Sequence, residues 1–136
     1  MSLEDNKTIV RRFLEEAITQ GNLDVIDTSF APNVVVHTYN TPNHDHASLR
    51  KMTQEGHQAF AGHTLTIHDL IAEGDTVAAR YSYTASMHHS QFGNNPPTGQ
   101  PLQLEFTSFY HFEQGKVTEI WAYYEGASWD LSGFGQ

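Results

Sequence analysis

The chain has 136 residues, 38% hydrophobic and 12% aromatic, a length that suits one domain with a sizeable core. Cysteine is absent, which excludes disulfides, thiolate catalysis and zinc–sulfur sites. A formal charge of −9 repels nucleic acid and anionic membranes, no run reaches the roughly 18 apolar residues of a membrane span, and the polar start Met1–Asn6 lacks a signal-peptide pattern, so a cytoplasmic address is expected.

Residues 5–20 read as an amphipathic helix. Ile9, Phe13 and Ala17 recur every four residues, and Val10, Leu14 and Ile18 repeat that spacing one position on. Gly21 is placed to stop it, and Asn22 to cap a short second helix through Leu23, Ile26 and Phe30. Val34–His37 follows as a short strand. Thr41–His46 is a polar loop, and Asp45 or Ser48 can cap a third helix with a weak apolar face at Leu49, Met52 and Phe60. After Gly62 the period changes to two. Strands are expected around Leu65 and Ile67, from Val77 to His88, from Leu102 to Phe112 and from Lys116 to Tyr124. Glu73-Gly-Asp75 and Glu113-Gln-Gly115 are turns, His89–Gln100 is a loop, and Gly126–Gln136 reads as a tail. Helices followed by antiparallel strands make the class α+β. No repeat or linker appears, so residues 1–136 are read as one domain. A curved sheet with helices across its concave face leaves a pocket between the layers, the usual setting for a small-molecule ligand.

Nine histidines invite a metal reading through His44-Asp-His46 and His88-His89. Adjacent histidines on a strand point to opposite faces, and the His44 loop lacks the spaced downstream glutamate of a cupin-type motif. No metal site is therefore expected, and no phosphate loop, serine elbow or dinucleotide fingerprint is present.

Six segments occur in order: Asn6-Lys-Thr-Ile-Val-Arg-Arg-Phe13, Gly21-Asn-Leu-Asp24, Ala31-Pro-Asn-Val34 with His37, Glu73-Gly-Asp75 with Val77-Ala-Ala-Arg80, Pro97-Thr-Gly99, and Gly115-Lys-Val117 with Glu119 and Trp121. Over about residues 6–125 they resemble the SnoaL-like polyketide cyclase family of the nuclear-transport-factor-2-like superfamily. The resemblance implies a cone-shaped α+β barrel, a curved antiparallel sheet with N-terminal helices on its concave face. It also implies a homodimer paired through the convex face, and ring closure by aldol chemistry without metal or cofactor. The family's acid/base is an acidic residue four positions after the motif tryptophan. Trp121-Ala-Tyr-Tyr-Glu125 supplies glutamate there, where the family typically has aspartate. Ser132-Gly-Phe-Gly135 replaces the family's closing Gln-Leu-Gly.

Deprotonation beside a carbonyl needs a base of raised pKa and a donor for the enolate oxygen. Glu125 in an aromatic pocket suits the first role, with Trp121 and Tyr123 on its own strand face by period two. A solvent-exposed glutamate at a strand end is the plainer alternative. A three-residue hairpin at Glu113-Gln-Gly115 would pair Phe112 with Lys116 and Gln103 with Glu125, and bring His88 alongside as donor or orienting group. His88 also matches a histidine common in the family. His37 is a candidate pocket-wall residue through the family match. His111 shares the face of Trp121 and Glu125 but sits more than roughly 20 Å from Glu125 along the strand, so it is expected to line the pocket, as Gln103, Trp121 and Tyr123 are, without touching Glu125. Arg80 is expected to pair with Glu105 or Glu119. Tyr39, Phe13 and Phe109 are core candidates. Tyr81, Tyr83, Phe106 and Tyr110 give the long strands aromatic residues, read as serving both faces of the sheet. The expected function is a cofactor-free cyclase or isomerase acting on a small apolar or polyketide-like carbonyl compound. The alternative is a non-catalytic ligand-binding or dimerisation module of the same fold.

Overall fold

In the computed structural model, which describes residues 2–38 and 43–134, the chain opens with helices, adds one strand and a further helix, and then lays down the remaining strands of a curved sheet. Helix α1 (Leu3–Arg12) starts at a reciprocal cap. Ser2 Oγ accepts from the Asp5 N–H at 3.0 Å, and the Asp5 carboxylate accepts from the Ser2 N–H at 3.2 Å. The helix does not run on to residue 20 as an α-helix. Phe13–Ile18 winds more widely, as a π-helical segment, which stacks residues five apart and turns both Phe13 and Ile18 toward the interior. Helix α2 spans Asp24–Ser29 and helix α3 His46–Ala59, the latter capped by Asp45, which accepts from the Ser48 N–H at 2.9 Å. Tyr39 and the Thr41-Pro42 part of the expected loop lie outside the described residues.

The strands are β1 (Phe30–Thr38), β2 (Phe60–Ala61), β3 (Thr64–Glu73), β4 (Thr76–Ala85), β5 (Met87–His88), β6 (Leu102–Glu113) and β7 (Lys116–Glu125). Five of them form one sheet in the order β1-β7-β6-β4-β3, antiparallel except for the parallel pair β1·β7; β2 and β5 form a separate small ladder. The strand expected over Val77–His88 breaks at Ser86, whose N–H bonds the Ala61 carbonyl at 2.7 Å and turns the chain onto β2.

The hairpin after β6 also differs from expectation. Gln114 (φ 51°) and Gly115 (φ 78°) make a two-residue loop with both centres left-handed, so Glu113 pairs with Lys116. A slip between Phe112 and His111 then places Thr118 in a bulge and sets Glu105, rather than Gln103, opposite Glu125.

Alternation along the strands sorts the side chains. Val77, Ala79, Tyr81 and Tyr83 of β4 and Leu104, Ser108, Tyr110 and Phe112 of β6 are buried on the concave face. There they meet Val10, Phe13 and Leu14 of the first helix and Leu49 of α3. A second apolar cluster joins Phe60, Phe92, Leu131 and Phe134. The chain after β7 is therefore no free tail. Phe134 packs on Phe92 at 4.8 Å between ring centres, and Trp129 stacks on Phe60 at 5.6 Å. Among the described residues no helix is long and apolar enough to cross a membrane.

Candidate functional site

Between the sheet and α3 lies a cavity of about 180 Å³. That exceeds the roughly 150 Å³ apolar cavity that holds a benzene molecule, and falls short of the roughly 300–1,000 Å³ of drug-sized pockets. Its walls are largely apolar: Met52 and Phe60 from the helix side, Phe106, Ala122 and Tyr124 from the sheet, Trp129 from the C-terminal segment. Among the described residues no carboxylate lines it.

Besides Thr38 and Thr53, two clusters of polar side chains interrupt the apolar lining among the described residues. The first comprises Tyr81, Ser108 and Tyr110, all lining the cavity and all nearly inaccessible to solvent. Burial pushes the Tyr81 phenol up to about 12 and the Tyr110 phenol well above its ordinary value. Ser108 Oγ lies close enough to both phenols to oppose that rise, yet it has no partner in hydrogen-bond geometry among the described residues. A buried hydroxyl in that state costs about 1–3 kcal/mol.

The second group comprises Tyr83, His63 and His57. Tyr83 and His57 line the cavity, and the Tyr83 hydroxyl is hydrogen-bonded to His63 Nδ1. His63 Nε2 lies 3.1 Å from the His57 carbonyl oxygen. A carbonyl only accepts, so Nε2 carries the proton. Burial lowers the His63 pKa, which keeps the ring neutral near pH 7; Nδ1 then accepts from the Tyr83 hydroxyl. Burial in turn raises the Tyr83 pKa. The His57 ring stacks on His63 at 5.1 Å and 10°, and its Nδ1 is buried without a partner among the described residues. Gly21, at φ 74°, admits the His57 ring, since a Cβ there would sit 2.8 Å from its Cδ2. On the sheet, Tyr83 stands opposite Leu104 and Ala79 opposite Ser108. Tyr83 is thus rooted four residues from Ser108, about 13 Å at roughly 3.3 Å per residue, and two residues from Tyr81 on its own strand.

The residues expected from the sequence are placed elsewhere. Trp121, Tyr123, Glu125 and His111 do share one face, but it is the convex one. Ile120, Ala122 and Tyr124 face the cavity instead. Glu125 and Gln103 are exposed, opposite Glu105 and Thr84 respectively, and Tyr123 is 43% exposed. His88 is buried, because the break at Ser86 turns it inward. It packs edge-on against Phe60 at 4.7 Å, behind the cavity lining rather than in it. His111 stands opposite Glu119. The structure does bring His37 and Trp121 together, stacked at 5.3 Å, with His37 Nε2 2.5 Å from Glu119 Oε2 and Nδ1 3.0 Å from Asn43 Oδ1. That cluster also lies outside the cavity. Arg80 pairs with Asp69 at 2.7 Å, not with Glu105 or Glu119. Tyr81, Tyr83, Phe106 and Tyr110 all point inward, so they do not serve both faces.

His57, His63, Tyr83 and Ser108 were not singled out from the sequence as site residues. Their one signal is the period-two run Tyr81-x-Tyr83, which needs the correct sheet face before it can be read. For metal, His44 Nδ1 bonds Ser48 Oγ at 2.8 Å and His46 lies 4.0 Å from Asp27. No group of three or more potential ligands gathers among the described residues.

The SnoaL-like polyketide cyclase profile matches residues 8–129. No curated protein matches the sequence. Among solved structures, AclR, a proposed hydroxylase from Streptomyces galilaeus, is similar with a TM-score of 0.77 at 26% identity, over 92% of this chain and 81% of that one. A proposed polyketide cyclase from Acidithiobacillus ferrooxidans gives 0.73 at 26% identity, over 92% of each chain. A proposed SnoaL-like polyketide cyclase from Jannaschia sp. CCS1 shares the fold, with a TM-score of 0.79 at 18% identity over 90% of this chain and 86% of that one. By profile and fold together, the chain belongs to the SnoaL-like polyketide cyclase family.

Proposed function

We propose that this protein takes a small, mainly apolar carbonyl compound into the cavity and moves a proton at the carbon beside the carbonyl, as a cyclase or isomerase. The observation that carries this reading is the His57 imidazole in the wall of a largely apolar enclosure, with the His63 imidazole stacked on it and bonded to the cavity-lining Tyr83. Imidazole is the side chain that exchanges protons near neutral pH, and a dry wall strengthens each polar contact made there. The volume suits a single ring. The test is α-proton exchange in deuterated water, followed by NMR, with ethyl acetoacetate, cyclohexanone and acetophenone. Native protein is expected to exchange at least one of them faster than buffer. Ala122→Phe, which fills the cavity, is expected to abolish that exchange, while Glu125→Gln, on the opposite face, keeps it. Exchange that persists in Ala122→Phe would place the chemistry outside the cavity.

One observation favours a second reading, a binding protein without turnover: the unpartnered Ser108 Oγ offers a ligand oxygen a hydrogen bond but no means of proton transfer. Binding of all three compounds with no exchange above buffer would select it.

We also propose that two copies pair through the convex face. Ile71, Ala78, Phe109, Trp121 and His37 form one row across all five strands, each opposite the next. Ile71 is 62% and Phe109 40% exposed, and apolar residues gathered on one exposed face suit a contact with a second copy.

A further inference from the structure

We infer that Tyr83 and His63 act as a two-residue relay in which Tyr83 takes the proton from the bound compound and His63 takes the proton from Tyr83. The inference rests on the acid/base reading of the cavity. Tyr83 is the member that meets the ligand, since it lines the cavity while its hydroxyl is bonded to His63 behind it. A neutral phenol is a poor base on its own. It becomes effective when its own proton leaves as the new one arrives. The carbonyl of His57 fixes the direction of that transfer. By holding the Nε2 proton at 3.1 Å, it leaves the Nδ1 lone pair facing Tyr83.

The step balances. The C–H bond beside the carbonyl breaks and its electron pair stays on the substrate as an enolate. The proton joins Tyr83 Oη, the former hydroxyl proton joins His63 Nδ1, and His63 becomes an imidazolium whose Nε2–H remains on the His57 carbonyl. Reversal of the relay, with Tyr83 delivering one proton to a different carbon as His63 returns its Nδ1 proton to Tyr83, completes an isomerisation; in a ring closure the enolate attacks a second carbonyl and the alkoxide so formed takes the Tyr83 proton while His63 reprotonates Tyr83. Among the described residues, three titratable groups face His63: Tyr83 from β4, the His57 ring from α3, and His89, which follows β5. A charge on either neighbouring histidine opposes protonation of His63, and burial acts in the same direction. The resting ring is thus neutral and able to accept.

The test uses Tyr83→Phe and His63→Asn in the exchange assay, with acetophenone affinity measured by NMR titration as the control for folding and binding. Asparagine keeps an acceptor oxygen near the Nδ1 position but has no basic nitrogen, so a purely structural role for His63 would survive it. Both variants are expected to slow exchange about 100-fold or more with affinity for acetophenone unchanged. The native rate should fall on the acid side, as His63 charges, and His63→Asn should lose that limb. Nitrogen NMR of native protein should show His63 protonated at Nε2 alone. Exchange at the native rate in Tyr83→Phe, or a His63 protonated at Nδ1, overturns the relay and leaves the cavity reading standing. Loss of exchange in His57→Asn, which retains the main-chain carbonyl, with native exchange in Tyr83→Phe would make the His57 ring the base. Native protein that exchanges none of the three compounds overturns the acid/base reading and the relay with it.

Discussion

His44 is 2% exposed, with Nδ1 on Ser48 Oγ and no partner for Nε2 among the described residues. Burial lowers its pKa, with Asp45 partly opposing. His63 shifts in the same direction. The linkage runs one way. Below about 6.5, the unfolded value of histidine, the unfolded chain binds more protons than the folded one, so the folded state is favoured above that pH and loses stability as pH falls through and below it. Tm measured by calorimetry is expected to fall between pH 7.5 and 5.5, and His44→Leu to flatten that fall; an equal fall in the variant would move the sensitivity to other groups. Single residues were also where the sequence misled. Period two correctly grouped Trp121, Tyr123 and Glu125, but which side of the sheet they occupy depends on packing. Leu104, Ser108 and Tyr110 on β6, and Tyr81 and Tyr83 on β4, take the inner face and leave Glu119, Trp121, Tyr123 and Glu125, the odd positions of β7 after the bulge, outside. The bulge at Thr118 carries no glycine or proline to announce it.

At the scale of elements, the first helix, the third helix cap at Asp45 and the four long strands were legible, because each depends on local periodicity or a local cap. The break at Ser86 was not, since it is made by a bond to Ala61, 25 residues earlier. Nor was the role of the C-terminal segment. Trp129 and Leu131 close the cavity, held by Asn95, whose side chain donates to the Asp130 carbonyl at 2.8 Å and accepts from the Asp130 N–H at 2.9 Å. Asn95 Nδ2 also reaches the Phe92 carbonyl at 3.0 Å, so one side chain ties the loop before β6 to the segment after β7. Asn95→Ala is expected to cost about 1–3 kcal/mol in urea unfolding and to speed amide hydrogen exchange over residues 127–134 ahead of the sheet. Uniform exchange across the molecule would show that the segment opens only with global unfolding.

The whole molecule was the most legible scale. Helices before strands, turns at fixed places and six motifs in order all describe one α+β architecture, and none depends on a side chain's face. Pairing of two copies belongs to this scale too. With a formal charge of −9 on each chain, association has to overcome like-charge repulsion that salt screens. Sedimentation is expected to show a dimer that tightens with added salt, and Phe109→Lys on the exposed row to shift it to monomer by at least tenfold in Kd. A native monomer at all salt concentrations would sink the proposal.

The chain has two tryptophans, and the sheet lies between them. Trp121 rests on His37 on the outer face, while Trp129 rests on Phe60 at the cavity wall. The two indoles are therefore separate fluorophores for separate events. Emission that changes on self-association belongs to the first, and emission that changes on filling the interior belongs to the second. Replacing either one with phenylalanine leaves a reporter for one event alone, so the proposed occupancy and the proposed pairing can each be followed without an added dye.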